Sequence, residues 1–158
     1  QASPTSDPGF ITKTTPYGAP NPVNPIALAI VGGATFVSRG FSGDVPHLAS
    51  LIKQGVSHRG FALIDVLQPC VTFNHVNTFS WYRERIYKLE EQNYDPTDKV
   101  AAMAKAQEWG TRIPIGVIYR GEAPVFEERL PALKKGPPVR QKVEPDRQEL
   151  EKLLDEFR

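Results

Sequence analysis

Cys70 is the only cysteine of the chain and stands in LQPCVTFN, directly behind a strongly apolar run. A thiol at such a place has three options: nucleophile, soft metal ligand, or inert structural group. Nucleophilic work requires a base, and the available histidines are His47, His58 and His75. Nothing in their spacing puts one beside Cys70. They also lack the short paired spacing of zinc ligands. An iron–sulfur cluster usually takes about four thiolates, so one cysteine is at most one member of a set completed elsewhere. Glu84, Glu90 and Glu91 lie in charge-laced helical surroundings, where solvated faces are the usual outcome and no acid/base dyad stands out. Lys134, Lys135, Arg140 and Lys142 form a basic, proline-containing stretch without interleaved aromatics, which is usually a solvated linker and less often a docking patch.

The elements that must carry Cys70 follow from local signals. Asn24-Pro25 is an N-cap with proline in the first turn, and the apolar run Ile26 to Ile30 stops at Gly32-Gly33. That glycine pair closes a helix and is not a phosphate loop, because it joins no strand to a helix N-terminus. Residues 35–39 (TFVSR) predict a strand, and residues 40–43 a turn. Asp44 caps a helix whose Leu48, Leu51, Ile52 and Val56 form one apolar stripe, ending at Gly60. Phe61 to Leu67 (FALIDVL) then predicts a strand covered on both faces. This strand–helix–strand unit implies a parallel pair. Cys70 falls just past its carboxyl end, where ligands of α/β sheets gather.

Further along, Thr78 caps a predicted helix lined by Phe79, Tyr82, Ile86 and Leu89, and Asp95-Pro96 opens another helix ending at Gly110. Ile113 to Tyr119 predicts a third strand, in which Gly116 signals a close approach. A short helix is expected over residues 126–133, a linker over KKGPPVRQKVEP, and a terminal amphipathic stripe of Leu150, Leu153, Leu154 and Phe157. The fold class is α/β, with a mostly parallel sheet flanked by helices. The expected division is residues 1–130 and 131–158.

Composition supports this picture. The 158 residues hold 40% apolar side chains, enough for a core, and Gly and Pro (12 and 15) stay below the ~25–30% that marks disorder. A net charge of +1 offers no broad footprint for nucleic acid or anionic lipid, and no apolar run approaches the ~18 residues of a membrane span. A lone thiol excludes a disulfide-stapled scaffold and points to a reducing cytoplasmic setting. The chain opens at Gln1 in a Pro-, Gly-, Ser- and Thr-dense loop with no signal peptide. The expectation is a fragment of a longer cytosolic chain, in preference to a mature secreted protein.

The run NPIALAIVGGATFVSRGFSGDVPHLASLIKQGVSHRGFALIDVLQPCVTFN, followed by WYRERIYKLE and RIPIGVIYR, closely resembles the C-terminal part of the β subunit of 2-oxoacid:ferredoxin oxidoreductases, the thiamine-diphosphate-binding subunit. The resemblance covers about residues 1–129. It implies a parallel sheet of the thiamine-diphosphate-binding type, with diphosphate held through Mg²⁺ and a [4Fe–4S] cluster nearby. Cys70 matches the cluster cysteine in its Pro-Cys context and is thereby implied to be the fourth ligand. The family's other cluster cysteines, its Gly-Asp-Gly-type motif and a Leu-Thr-Lys-Gly-Gln segment lie upstream, with only Gln1 left of the last. ASPT and TKTTPYG are similar to the loop that follows.

What the resemblance implies for activity is coenzyme A-dependent oxidative decarboxylation of a 2-oxoacid such as 2-oxoglutarate or pyruvate. CO₂ leaves, electrons pass singly through the cluster to ferredoxin, and coenzyme A takes the acyl group. Implied partners are the α subunit, with γ or δ subunits, and ferredoxin. Residues 1–158 alone are expected to bind neither cofactor tightly, and no catalytic residue is assigned within them. Two rivals stay open: a noncatalytic α/β module that serves contacts between subunits, and a cysteine-nucleophile enzyme.

Overall fold

The computed structural model describes residues 3–18, 21–141 and 146–157. The chain divides into two compact units, Gln1–Ala123 and Pro124–Arg158.

In the first unit, α1 (Pro25–Val31) starts where the Asn24 side chain accepts from Ala27 N–H. It ends at Gly32, whose N–H reaches Leu28 O. β1 (Phe36–Phe41) is buried along its whole length. It runs through Gly40 to Phe41, two residues further than the sequence predicts, because both stay paired with Val66 and Leu67 of the neighbouring strand; the glycine serves close packing, since an added Cβ would strike the Leu48 side chain of the next helix. α2 (Val45–Ser57) is capped by the Asp44 side chain and carries proline in its first turn. It is followed by β2 (Ala62–Leu67), parallel to β1 with Phe36 opposite Ala62 and Phe41 opposite Leu67.

The segment after Thr78 departs from expectation. α3 covers only Phe79–Arg83, and Ile86 lies in a strand, β3 (Ile86–Lys88), with Leu89 in a 3₁₀ turn. Helical and extended spacing cannot be told apart over so few residues. The deciding contact is non-local, since β3 pairs in parallel with Ile113–Ile115 of β4 (Ile113–Arg120). Between them lies α4 (Lys99–Gln107), whose N-cap is Asp98, not Asp95.

The sheet order is β2-β1-β4-β3. The β1–β2 and β3–β4 pairings are parallel and β4 runs antiparallel to β1. The sheet is thus mixed and mostly parallel. Gly40 and Gly55 bring α2 onto one face, against Phe36 and Ile64. On the other face Val37 and Ile118 bury with Ile26, Ile30 and Ala102 of α1 and α4. A second cluster of Phe41, Leu67, Ile113 and Ile115 is closed by Phe79, Trp81 and Tyr82. β2 is not covered as a central strand would be: it is half-buried except at Leu67, and Val66 is exposed.

The second unit holds 3₁₀ turns at Phe126–Arg129, Pro131–Lys135 and Pro138–Arg140, then α5 (Arg147–Asp155). The expected helix at 126–133 is therefore two 3₁₀ turns, divided before Pro131. The stripe of Leu150, Leu153, Leu154 and Phe157 is exposed. Lys142 and the end of the expected linker lie outside the described residues.

Candidate functional site

Cys70 is exposed and follows the carboxyl end of β2, after Gln68 and Pro69. Proline has no N–H to offer a ladder, so pairing stops before the thiol. The Cys70 carbonyl accepts from Phe73 N–H (3.0 Å) and Asn74 N–H (2.8 Å), folding the chain back into a turn. Asn74 Oδ1 then accepts from the N–H groups of Val76 and Asn77, both at 2.9 Å. Such an Asx turn is local chemistry that asparagine performs readily.

Cys70 lines a cavity of about 1340 Å³ whose wall also includes Asp7, Arg39, Asp65, His75 and Trp109. A chain of hydrogen bonds ties these segments together. Asn74 Nδ2 donates to Asn77 Oδ1 (3.0 Å), and the buried Asn77 donates from Nδ2 to Asp7 Oδ2 (3.2 Å). Asp7 Oδ1 accepts from Trp109 Nε1 at 2.6 Å. The Trp109 ring lies 5.3 Å from the guanidinium carbon of Arg39. Arg39 is 3% exposed and donates from Nε to Asp65 Oδ2 at 2.8 Å. Arg39 and Asp65 are register partners across β1 and β2, so the pair is assembled by the ladder itself. Arg39 Nη1 is buried and has no hydrogen-bond partner among the described residues.

Burial raises the Tyr82 hydroxyl above its ordinary 10.0, the charges of Asp7 and Asp65 push the same way, and Arg39 opposes them. Tyr82 therefore stays a neutral donor in the cavity wall through the physiological range.

The histidines separate clearly. His75 shares the cavity with Cys70. His47 lies elsewhere, with Nε2 at 3.3 Å from Glu90 Oε1, and His58 Nε2 lies 2.7 Å from Thr35 Oγ1. Glu84 pairs with its neighbour Arg85 at 3.2 Å. Among the described residues there is no group of three or more His, Cys, Asp or Glu placed to hold a metal ion. The described residues thus place the Cys70 thiol in no cluster of His, Cys, Asp or Glu side chains, neither a set of thiolates nor a carboxylate set of the kind that Mg²⁺ takes. Among the described residues no helix is long and apolar enough to cross a membrane.

The sequence reading missed Arg39, Asp65, Asp7, Asn77 and Trp109. A signal did exist for two of them: one opposite charge in each of two adjacent apolar strands, which only the register turns into a pair.

Comparison with known proteins gives a consistent answer. Residues 70–135 match the family described as the carboxyl-terminal region of the pyruvate ferredoxin oxidoreductase beta subunit. A 2-oxoacid:ferredoxin oxidoreductase subunit beta from Sulfolobus sp is 50% identical over 144 residues, covering 84% of this chain and 47% of the relative. The subunit of the same description from Saccharolobus solfataricus is 43% identical, covering 91% of this chain and 52% of the relative. A solved 2-oxoglutarate:ferredoxin oxidoreductase from Magnetococcus marinus, with 2-oxoglutarate, coenzyme A and succinyl-CoA bound, superposes with a TM-score of 0.83 at 34% identity. That match covers 97% of this chain and 52% of the neighbour's. The chain spans about half the length of the curated relatives it matches. Identity of this level along nearly the whole chain, together with the shared fold, means that the chain belongs to the β-subunit family of 2-oxoacid:ferredoxin oxidoreductases.

Proposed function

We propose that this chain forms part of the β subunit of an enzyme that oxidatively decarboxylates a 2-oxoacid, such as 2-oxoglutarate or pyruvate, with coenzyme A as acyl acceptor and ferredoxin as electron acceptor. Its partners are the α subunit, with γ or δ subunits, and ferredoxin, in the cytoplasm. Cys70 is the one ligand that this chain contributes to a [4Fe–4S] cluster. The observation that carries the assignment is the exposed thiol just past the carboxyl end of β2, on the wall of the cavity.

The residues fit a single-ligand role. A soft thiolate suits iron in a cluster, and the turn closed on the Cys70 carbonyl holds its backbone in place. When bound, the cluster supplies one-electron storage. The chain's own contribution is to present Sγ at a rigid strand end and to shape the adjoining wall with Arg39, Tyr82 and Trp109. Among the described residues no group of three or more His, Cys, Asp or Glu stands ready to hold Mg²⁺ or to complete a cluster. Those groups belong to the rest of the assembled enzyme.

The test is Cys70→Ser in the intact assembly. Serine is a poorer iron ligand, so iron content and the reduced-cluster electron paramagnetic resonance signal should fall, and ferredoxin reduction should drop more than thiamine diphosphate binding. Unchanged iron, signal and turnover would return Cys70 to a structural role.

A further inference from the structure

Phe73 stands on the same cavity wall as Cys70 and is 83% exposed. A single exposed apolar side chain needs no explanation by itself. What sets this one apart is how firmly it is mounted, and beside what. Phe73 N–H and Asn74 N–H both donate to the Cys70 carbonyl, at 3.0 and 2.8 Å, so ring and thiol ride on one turn. Asn74 locks that turn from its far side. Its Oδ1 accepts from the N–H groups of Val76 and Asn77, and its Nδ2 donates to Asn77 Oδ1. Asn77 is buried and tied in turn to Asp7. The Asn74 amide is therefore spent on holding the turn, whereas the Phe73 ring belongs to neither of the two buried apolar clusters. The chain fixes an aromatic ring next to its one thiol and uses that ring for no packing of its own.

The chemistry of a thiolate-bound cluster gives such a ring a task. Reduction adds one negative charge, and the potential depends on how far water reaches the site. Water stabilises the more highly charged form most, so an apolar group that keeps water away makes reduction harder and lowers the potential. A polar side chain at the same place would let water in and raise it.

We infer that Phe73 is a water shield for the Cys70 side of the cluster and that its ring holds down the potential from which ferredoxin is reduced. This rests on Cys70 being a cluster ligand. The turn supplies the geometry, since it ties the backbone that carries the ring to the backbone that carries the ligand.

The experiment compares Phe73→Leu and Phe73→Ser with wild type in the intact assembly. Three quantities are read: iron content, the midpoint of the reduced-cluster electron paramagnetic resonance signal in a redox titration, and deuterium modulation of its electron spin echo after exchange into D₂O. Leucine keeps the surface apolar and serine admits water. Both variants should retain their iron, and the leucine variant should titrate close to wild type. The serine variant should show deeper deuterium modulation and a higher midpoint, by about a tenfold gain in the reduction equilibrium, which is roughly 59 mV for one electron. Because the ring lies outside both buried clusters, the thermal melt of this chain alone should be the same with phenylalanine, leucine or serine. An unchanged or lowered midpoint in the serine variant, or unchanged modulation, overturns the shield and leaves Cys70 as a ligand. Equal shifts in both variants, or loss of iron from either, also overturn it, because the ring then supports the turn instead of excluding water. Iron retained in full by Cys70→Ser overturns the ligand reading, and the shield with it.

Discussion

Gly116 shows how much one residue can constrain. It takes φ +117°, and a Cβ added there would stand 2.6 Å from both carboxylate oxygens of Glu90. Gly116→Ala must therefore adopt a left-handed backbone and displace a carboxylate that also contacts His47 at 3.3 Å. The expected cost is roughly 1–3 kcal/mol, read as a lower urea midpoint with an unchanged slope. A midpoint equal to that of the wild type would mean the approach is relaxed in solution. The close approach at Gly116 was legible in the sequence because only glycine has a reason to interrupt IPIGVIY. The Arg39–Asp65 pair was not, since two charges in separate strands become partners only once register and face are known. Cys70 was legible by type and position, whereas the tie from Asn77 through Asp7 to Trp109 joins residues too far apart in sequence for any local pattern to reveal.

At the scale of elements, caps and stripes carried most of the fold. Asn24, Asp44 and Thr78 all cap the helices predicted for them, because capping is a contact within three residues of chain. Direction and edge position were less accessible. The antiparallel run of β4 against β1, and the three residues of β3, depend on pairing between distant segments. Asp44 links the two kinds of information: it caps α2 and its Oδ2 lies 2.8 Å from Lys88 Nζ of β3. The hydrogen bond from Lys88 holds the Asp44 carboxyl below its ordinary 3.8, and the same bond holds Lys88 above its ordinary 10.5. A depressed acid stabilises the fold above its unfolded value and loses that contribution as pH falls through the folded one. A raised base stabilises below its unfolded value and loses the contribution as pH rises through the folded one. The benefit is thus complete between pH 3.8 and 10.5 and fades outside that window. Asp44→Ala should cost about 1 kcal/mol at neutral pH, mostly through the lost cap. Urea midpoints measured against pH should show wild type and variant converging below pH 3.8. A constant gap down to the most acidic pH at which the fold persists would show that the carboxylate's charge plays no part.

For the molecule as a whole, the segment before α1 is tied to distant parts of the sheet domain through Asp7, which accepts from Asn77 and from Trp109, and Asp7 and Trp109 are separated by 102 residues. Closing so long a loop costs entropy before any contact repays it, and non-local contacts of this kind slow folding. The segment should therefore dock after the sheet has formed, making the cavity wall the last part of the domain to acquire its native shape. The indole of Trp109 reports this step directly, because its ring nitrogen is the donor in the tie. In a Trp81→Phe background, stopped-flow refolding followed by tryptophan emission should show a phase later than the far-ultraviolet circular dichroism signal, and Asp7→Ala should remove that phase. Superimposable traces would mean that segment and sheet form together. On the expected course, a nascent chain has its Cys70 strand in place while the wall beside it is still open, leaving an interval during synthesis in which bulky groups can enter a space that later narrows.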